Sequence, residues 1–129
     1  MIYVDTSVAL AHLLAEDRRP PTSLWTDMLV SSRLLEYEIW TRLHARELAS
    51  SRSEVAHSLI ARVSLVELAP PVLARALDAF PVPVRTLDGL HLASLEFLRG
   101  RGQAVELASY DHRMTSAAEA MGIPILELP

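Results

Sequence analysis

The chain has 129 residues, half of them hydrophobic and 5% aromatic, with a formal net charge of −4. That length supports one domain over residues 1–129, while the acidic balance argues against a nucleic-acid binder working by bulk charge, and the few rings against a base-stacking surface. Cysteine is absent, which excludes a disulfide framework and a thiolate zinc site. No apolar run approaches the roughly 20 residues that span a bilayer, and the N-terminus lacks the marks of a signal peptide. The expected location is cytoplasmic, with no membrane attachment.

Residues 2–4 read as a short buried strand, and 7–15 as a helix capped by Thr6 or Ser7. "TSLWTDML" reads as a short helix, and 29–32 as a second strand. Helices follow over 33–49 and 53–63, then a strand over 64–69 and a helix over 72–80. Residues 87–100 form a helix ended by Gly100, 104–109 a strand, and 111–122 a helix closed by Gly122. Residues 123–128 read as a last strand, which Pro124 marks as an edge. Short apolar strands alternating with helices predict an α/β three-layer sandwich around a mostly parallel five-stranded sheet. Such sheets place their sites beyond the carboxyl ends of the strands, where the strand order switches.

Two acids fall at such ends. Asp5 follows the first strand and Asp111 the fourth, each just before a helix. Either would serve as a helix cap, but a parallel sheet also brings strand ends together. At about 100° per residue, Glu38 shares the apolar arc of its helix with Leu34, Leu35 and Ile39, while Glu36 falls toward the opposite edge. A carboxylate on that face needs a partner; Arg42, one turn on, is the expected ion pair, and a cation shared with other acids the alternative. Asp88 opens the helix over 87–100, where an acid favours the helix dipole.

Asp5, Glu38, Asp88 and Asp111 side by side would raise one another's pKa values or recruit a cation. An all-oxygen site suits Mg²⁺ or Mn²⁺, and an ion held there activates water and neutralises a phosphodiester. "VDTSVAL", the acid after "VSSRLLEYE", "RTLDGLHLASL" and "ASYDHRM" resemble, in order, the four acidic motifs of PIN-domain ribonucleases. The resemblance is closest to the compact VapC-type toxins of bacterial toxin–antitoxin pairs and spans nearly the whole chain. It implies strand order 3-2-1-4-5 and Asp5, Glu38, Asp88 and Asp111 as catalytic, metal-binding acids. Thr6 and Ser109 enter as polar neighbours and, with Arg42 and Arg85, as substrate-positioning candidates. It further implies an RNA substrate, a small antitoxin that blocks the site, a homodimer, and a hetero-oligomer with the antitoxin.

All twelve basic residues are arginine. The lack of lysine excludes receiver domains and haloacid-dehalogenase-type phosphatases, which resemble the Asp5 motif but need a lysine at the phosphoryl group, and also a Walker-type phosphate loop. His91 reads as a satisfied core or crevice histidine, His112 as a turn residue, and Ser7 as a cap rather than a nucleophile. Arg46 and Arg113 join Arg42 and Arg85 as candidates to meet RNA phosphates. Trp25 and Trp40 are candidates for a partner surface or for the core. The alternatives are a stand-alone RNA-processing PIN nuclease and a non-catalytic interaction module of the same fold.

Overall fold

The computed structural model describes residues 1–129. Its strands are β1 (Ile2–Val4), β2 (Leu29–Ser32), β3 (Val63–Val66) and β4 (Glu106–Ala108), all parallel, in the order β3-β2-β1-β4. Six helices connect and follow them: α1 (Thr6–Leu13), α2 (Leu34–Ala45), α3 (Ser53–Ala61), α4 (Pro70–Leu77), α5 (Thr86–Gly100) and α6 (His112–Ala120). No helix is long and apolar enough to cross a membrane.

β1 and β2 are buried along their whole length, as parallel strands covered on both faces must be. Because successive side chains point to opposite faces, β1 divides its residues between two cores. Ile2 and Val4 join Val8 of α1, Leu35, Ile39 and Leu43 of α2 and Leu59 of α3. Tyr3 faces the other way, with Val30, Leu92 and Leu95 of α5, and Met114 of α6. Helices thus cover both faces of the sheet. Trp25 and Trp40 pack, partly buried, against the first of these clusters.

The expected fifth strand is reduced to one parallel bridge, Leu107 with Ile125, beside β4. Leu107 N donates to Pro124 O at 2.9 Å and Leu126 N to Leu107 O at 2.8 Å, but Pro124 has no N–H with which to extend the ladder. Other boundaries shift as well: β3 is Val63–Val66 rather than 64–69, α4 is Pro70–Leu77 rather than 72–80, and β4 is Glu106–Ala108 rather than 104–109. Residues 22–26 form a 3₁₀ turn rather than an α-helix, and α2 stops at Ala45, two residues before the positive φ (55°) of Glu47. Helix α1 starts at Thr6, so neither Thr6 nor Ser7 is its cap; Asp5 holds that position.

The chain passes from β1 through β2 to β3 on one side of the sheet, and β4 later joins β1 on the other. The order therefore switches between β1 and β4. Asp5 N donates to Ala108 O at 3.0 Å, which draws the carboxyl ends of these two strands together at the switch point.

Candidate active site

Asp5 stands at the N-cap position of α1 in extended backbone, yet its side chain makes no capping bond. Instead Oδ2 accepts hydrogen bonds from Ser7 Oγ and Ser109 Oγ, each at 2.7 Å. These hydroxyls in turn accept from the next turn of chain, Ser7 Oγ from Tyr110 N and Ser109 Oγ from Asp111 N, both at 3.0 Å. Asp5 is 5% exposed, and the two serines tie it to the end of β4.

Glu38 reaches the same place from α2. Its Oε1 accepts from Thr6 Oγ1 at 2.7 Å and from His91 Nε2 at 2.6 Å. His91, on α5, is 1% exposed, and its Nδ1 lies 2.8 Å from the hydroxyl of Tyr3, which is wholly buried. Burial is the largest influence on both partners, pushing Glu38 up and His91 down. The hydrogen bond and the opposite charges outweigh it, so Glu38 titrates below its ordinary value and His91 above. The charges of Asp5 and Asp88 help to raise His91. Burial first of all drives the Tyr3 hydroxyl far upward, so it stays protonated.

The other two acids are held differently. Asp88 lies in the first turn of α5, and Arg85 at the N-cap position of that helix. Arg85 Nε donates to Asp88 Oδ2 at 2.9 Å, and Arg85 Nη2 donates to Asp111 Oδ2. Asp111 caps α6 with its other oxygen, Oδ1 accepting from Arg113 N at 2.9 Å and Met114 N at 3.5 Å. Burial, joined by the charges of Asp111 and Asp5, raises Asp88 against the pull of Arg85.

Asp5, Glu38, Asp88 and Asp111 line one crevice of about 830 Å³, together with Thr6, Ser7, Arg18, Arg42, Arg85 and Tyr110. Glu36 lies outside it, 3.9 Å from Arg33 on the exterior of α2. Arg42 lines the crevice but is not the ion-pair partner of Glu38; that partner is His91, supplied by a helix far away in sequence. Arg46 and Arg113 do not line the crevice, whereas Arg18 does, with its guanidinium 4.9 Å over the ring of Tyr110. Thr6 and Ser109 direct their hydroxyls to Glu38 and Asp5. Sequence reasoning missed His91 as the partner of Glu38, although Asp88 and His91, one helical turn apart, share a face.

No three acid or histidine side chains form a ready-made metal-ligand set. A hard divalent cation does not require one, because Mg²⁺ keeps several waters and binds through one or two carboxylates. The donors here are all oxygen, and one oxygen each of Asp5, Glu38 and Asp88 receives no hydrogen bond. The Arg85 guanidinium already stands as a cation between Asp88 and Asp111. The residues fit such an ion.

A parallel α/β sheet with four acids gathered past its switch point defines a PIN-like protein. The PIN domain family model matches residues 2–120, and the chain belongs to that family. It is similar to Ribonuclease VapC35 of Mycobacterium tuberculosis, at 26% identity over 132 residues, covering 98% of this chain and 96% of that protein. It is also similar to Ribonuclease VapC47 of Mycobacterium tuberculosis (strain CDC 1551 / Oshkosh), at 27% identity over 129 residues, covering 95% and 93% of the two chains.

Proposed function

We propose that the chain is a metal-dependent endoribonuclease that hydrolyses RNA phosphodiester bonds in this crevice and acts as the toxin of a toxin–antitoxin pair. The observation that carries the reading is the convergence of acids from four separate segments, Asp5, Glu38, Asp88 and Asp111, on one crevice of a PIN fold. Each acid would hold a divalent cation, Mg²⁺ or Mn²⁺. The bound ion supplies an activated water and neutralises charge on the scissile phosphate.

The chain's own groups prepare the site. Ser7 and Ser109 fix Asp5 through one oxygen and leave the other open to the crevice. Thr6 and His91 do the same for Glu38, and Tyr3 sets the imidazole from inside the sheet. Arg18 and Arg42, on the crevice wall, meet the flanking phosphates, which position RNA without reading its sequence.

The toxin role is supported by the likeness to VapC-type chains over nearly the full length. A small antitoxin would cover the crevice, in a hetero-oligomer that also holds two copies of the chain. Incubating the purified chain with RNA in Mn²⁺ and in EDTA tests the activity; cleavage in Mn²⁺ alone is expected. Co-expression with the product of a short neighbouring gene tests the role. Growth arrest relieved by that product is expected, whereas cleavage without any inhibiting partner would favour a stand-alone nuclease.

A further inference from the structure

Arg85 is the arginine that forms ion pairs with crevice acids, and it reaches two of them at once: Asp88 through Nε and Asp111 through Nη2. This side chain is 53% exposed, against 16% for Asp88 and 27% for Asp111, and it lies in the crevice wall. The fold does not depend on it, because Asp111 caps α6 with Oδ1, the oxygen that Arg85 leaves free. Exposed ion pairs are weakly held. What the contact does is neutralise the outer acids, while the inner acids are held by hydroxyls and His91.

A divalent cation that takes Asp111 must therefore displace this guanidinium, since Oδ1 is held by the α6 amides and Oδ2 by Arg85, and one that takes the open oxygen of Asp88 meets its charge at close range. Arginine stays charged at every working pH, so the displaced side chain carries its full charge while tethered at the mouth of the site. The anion left for it there is the RNA phosphate, which its planar fork matches through two parallel N–H donors. We infer that Arg85 is a resident counter-ion that yields its carboxylates to the incoming divalent cation and, once displaced, positions the RNA phosphate. RNA capture is thereby coupled to metal arrival. The inference rests on the metal-dependent reading of the crevice.

Calorimetric titration of the full chain with Mn²⁺ alone tests the first half. Arg85→Ala is expected to bind Mn²⁺ about tenfold more tightly than the parent, a coupling of ordinary size between two ligands of one site. Arg85→Lys should fall between, since a point charge cannot bridge both acids. Binding of a cleavage-resistant 2′-O-methyl phosphorothioate RNA, followed by anisotropy, tests the second half. The parent should bind it more tightly with Mn²⁺ than without, and Arg85→Ala should lose most of that gain. Unchanged or weaker Mn²⁺ affinity in Arg85→Ala overturns the competition, and an undiminished Mn²⁺ gain in RNA affinity overturns the phosphate role. Should Arg85→Ala fail to fold, Arg85→Gln and Arg85→Lys carry the same comparison. Tighter Mn²⁺ binding in Arg85→Ala with no cleavage by the parent would leave the competition standing and overturn the nuclease reading. A parent and variant that both ignore Mn²⁺ would overturn both.

Discussion

The crevice has two halves that treat the same chemical group in opposite ways. In the inner half, Asp5 and Glu38 are held by Ser7, Ser109, Thr6 and His91. Most of these donors are neutral hydroxyls, which fix a carboxylate in direction without cancelling its charge. In the outer half, one guanidinium pairs with both Asp88 and Asp111, giving up negative charge for a contact that solvent weakens. The difference teaches how a fold keeps an acid charged and aimed at once. The inner acids take their position from hydroxyls and one imidazole rooted in the core, and the outer acids are neutralised by an exposed guanidinium at the rim.

Neutralising Asp5 breaks the inner half most severely. If Asp5 holds the cation as proposed, Asp5→Asn is expected to lower RNA cleavage on the order of a thousandfold, through lost charge stabilisation of several kcal/mol. Its melting temperature should hold or rise, because the charge of Asp5 burdens Asp88. Cleavage assays beside thermal melts check both parts, and retained cleavage would remove Asp5 from the site.

Removing the buried partner of Glu38 is the next largest disturbance. His91→Leu leaves the Tyr3 hydroxyl and Glu38 without their mutual partner and should destabilise the chain by about 3 kcal/mol, read from denaturant unfolding. The outer pair of Arg85 with Asp88 is more exposed, so replacing Arg85 by Ala should cost clearly less stability than His91→Leu. Equal losses at the two places would erase the contrast.

Two acids on one helix sharpen it further. Glu38→Gln should reduce cleavage about a hundredfold, while Glu36→Gln, on the exterior beside Arg33, should leave kcat/KM within about twofold. Equal effects would show that the crevice does not distinguish them.

The smallest expected effect is a dependence on pH. His91 is raised, so its contribution to stability is whole below its unfolded value of 6.5 and is lost as pH climbs through the folded value. Glu38 is lowered, so its contribution is whole above its unfolded value of 4.5 and is lost as pH falls through the folded value. The pair should stabilise most between these two values. Melts in EDTA across pH should show the parent losing stability on the alkaline side, with His91→Gln flattening that limb.

Local pattern carried much of this architecture. β1 and β2 were legible to the residue because each is an apolar run ended by polar side chains. The arc of α2 also sufficed to tell Glu38 from Glu36. The misreadings arose where a distant segment decides. Arg42 was the local partner for Glu38, but the actual one, His91, arrives from the opposite face of the sheet, 53 positions along the chain. Asp5 reads as a helix cap because it occupies the capping position. Only the return of β4 beside β1 supplies Ser109, which turns its carboxylate away from the helix. Arg18 follows α1 in a stretch without helical or strand period, so nothing in the pattern aimed it at the crevice.

The line Tyr3, His91, Glu38 joins the middle of the central strand to the crevice. Buried as they are, Tyr3 and His91 are expected to open among the last parts of the molecule, and the exposed start of α5 at Arg85 among the first. Hydrogen exchange would find the floor of the crevice as slow as the core and the rim fast. Evolution meets the same link from the other side. A substitution such as Tyr3→Phe, conservative in volume and hidden from solvent, removes the hydroxyl beside the imidazole, so drift in the core is felt at Glu38 without any residue of the crevice changing.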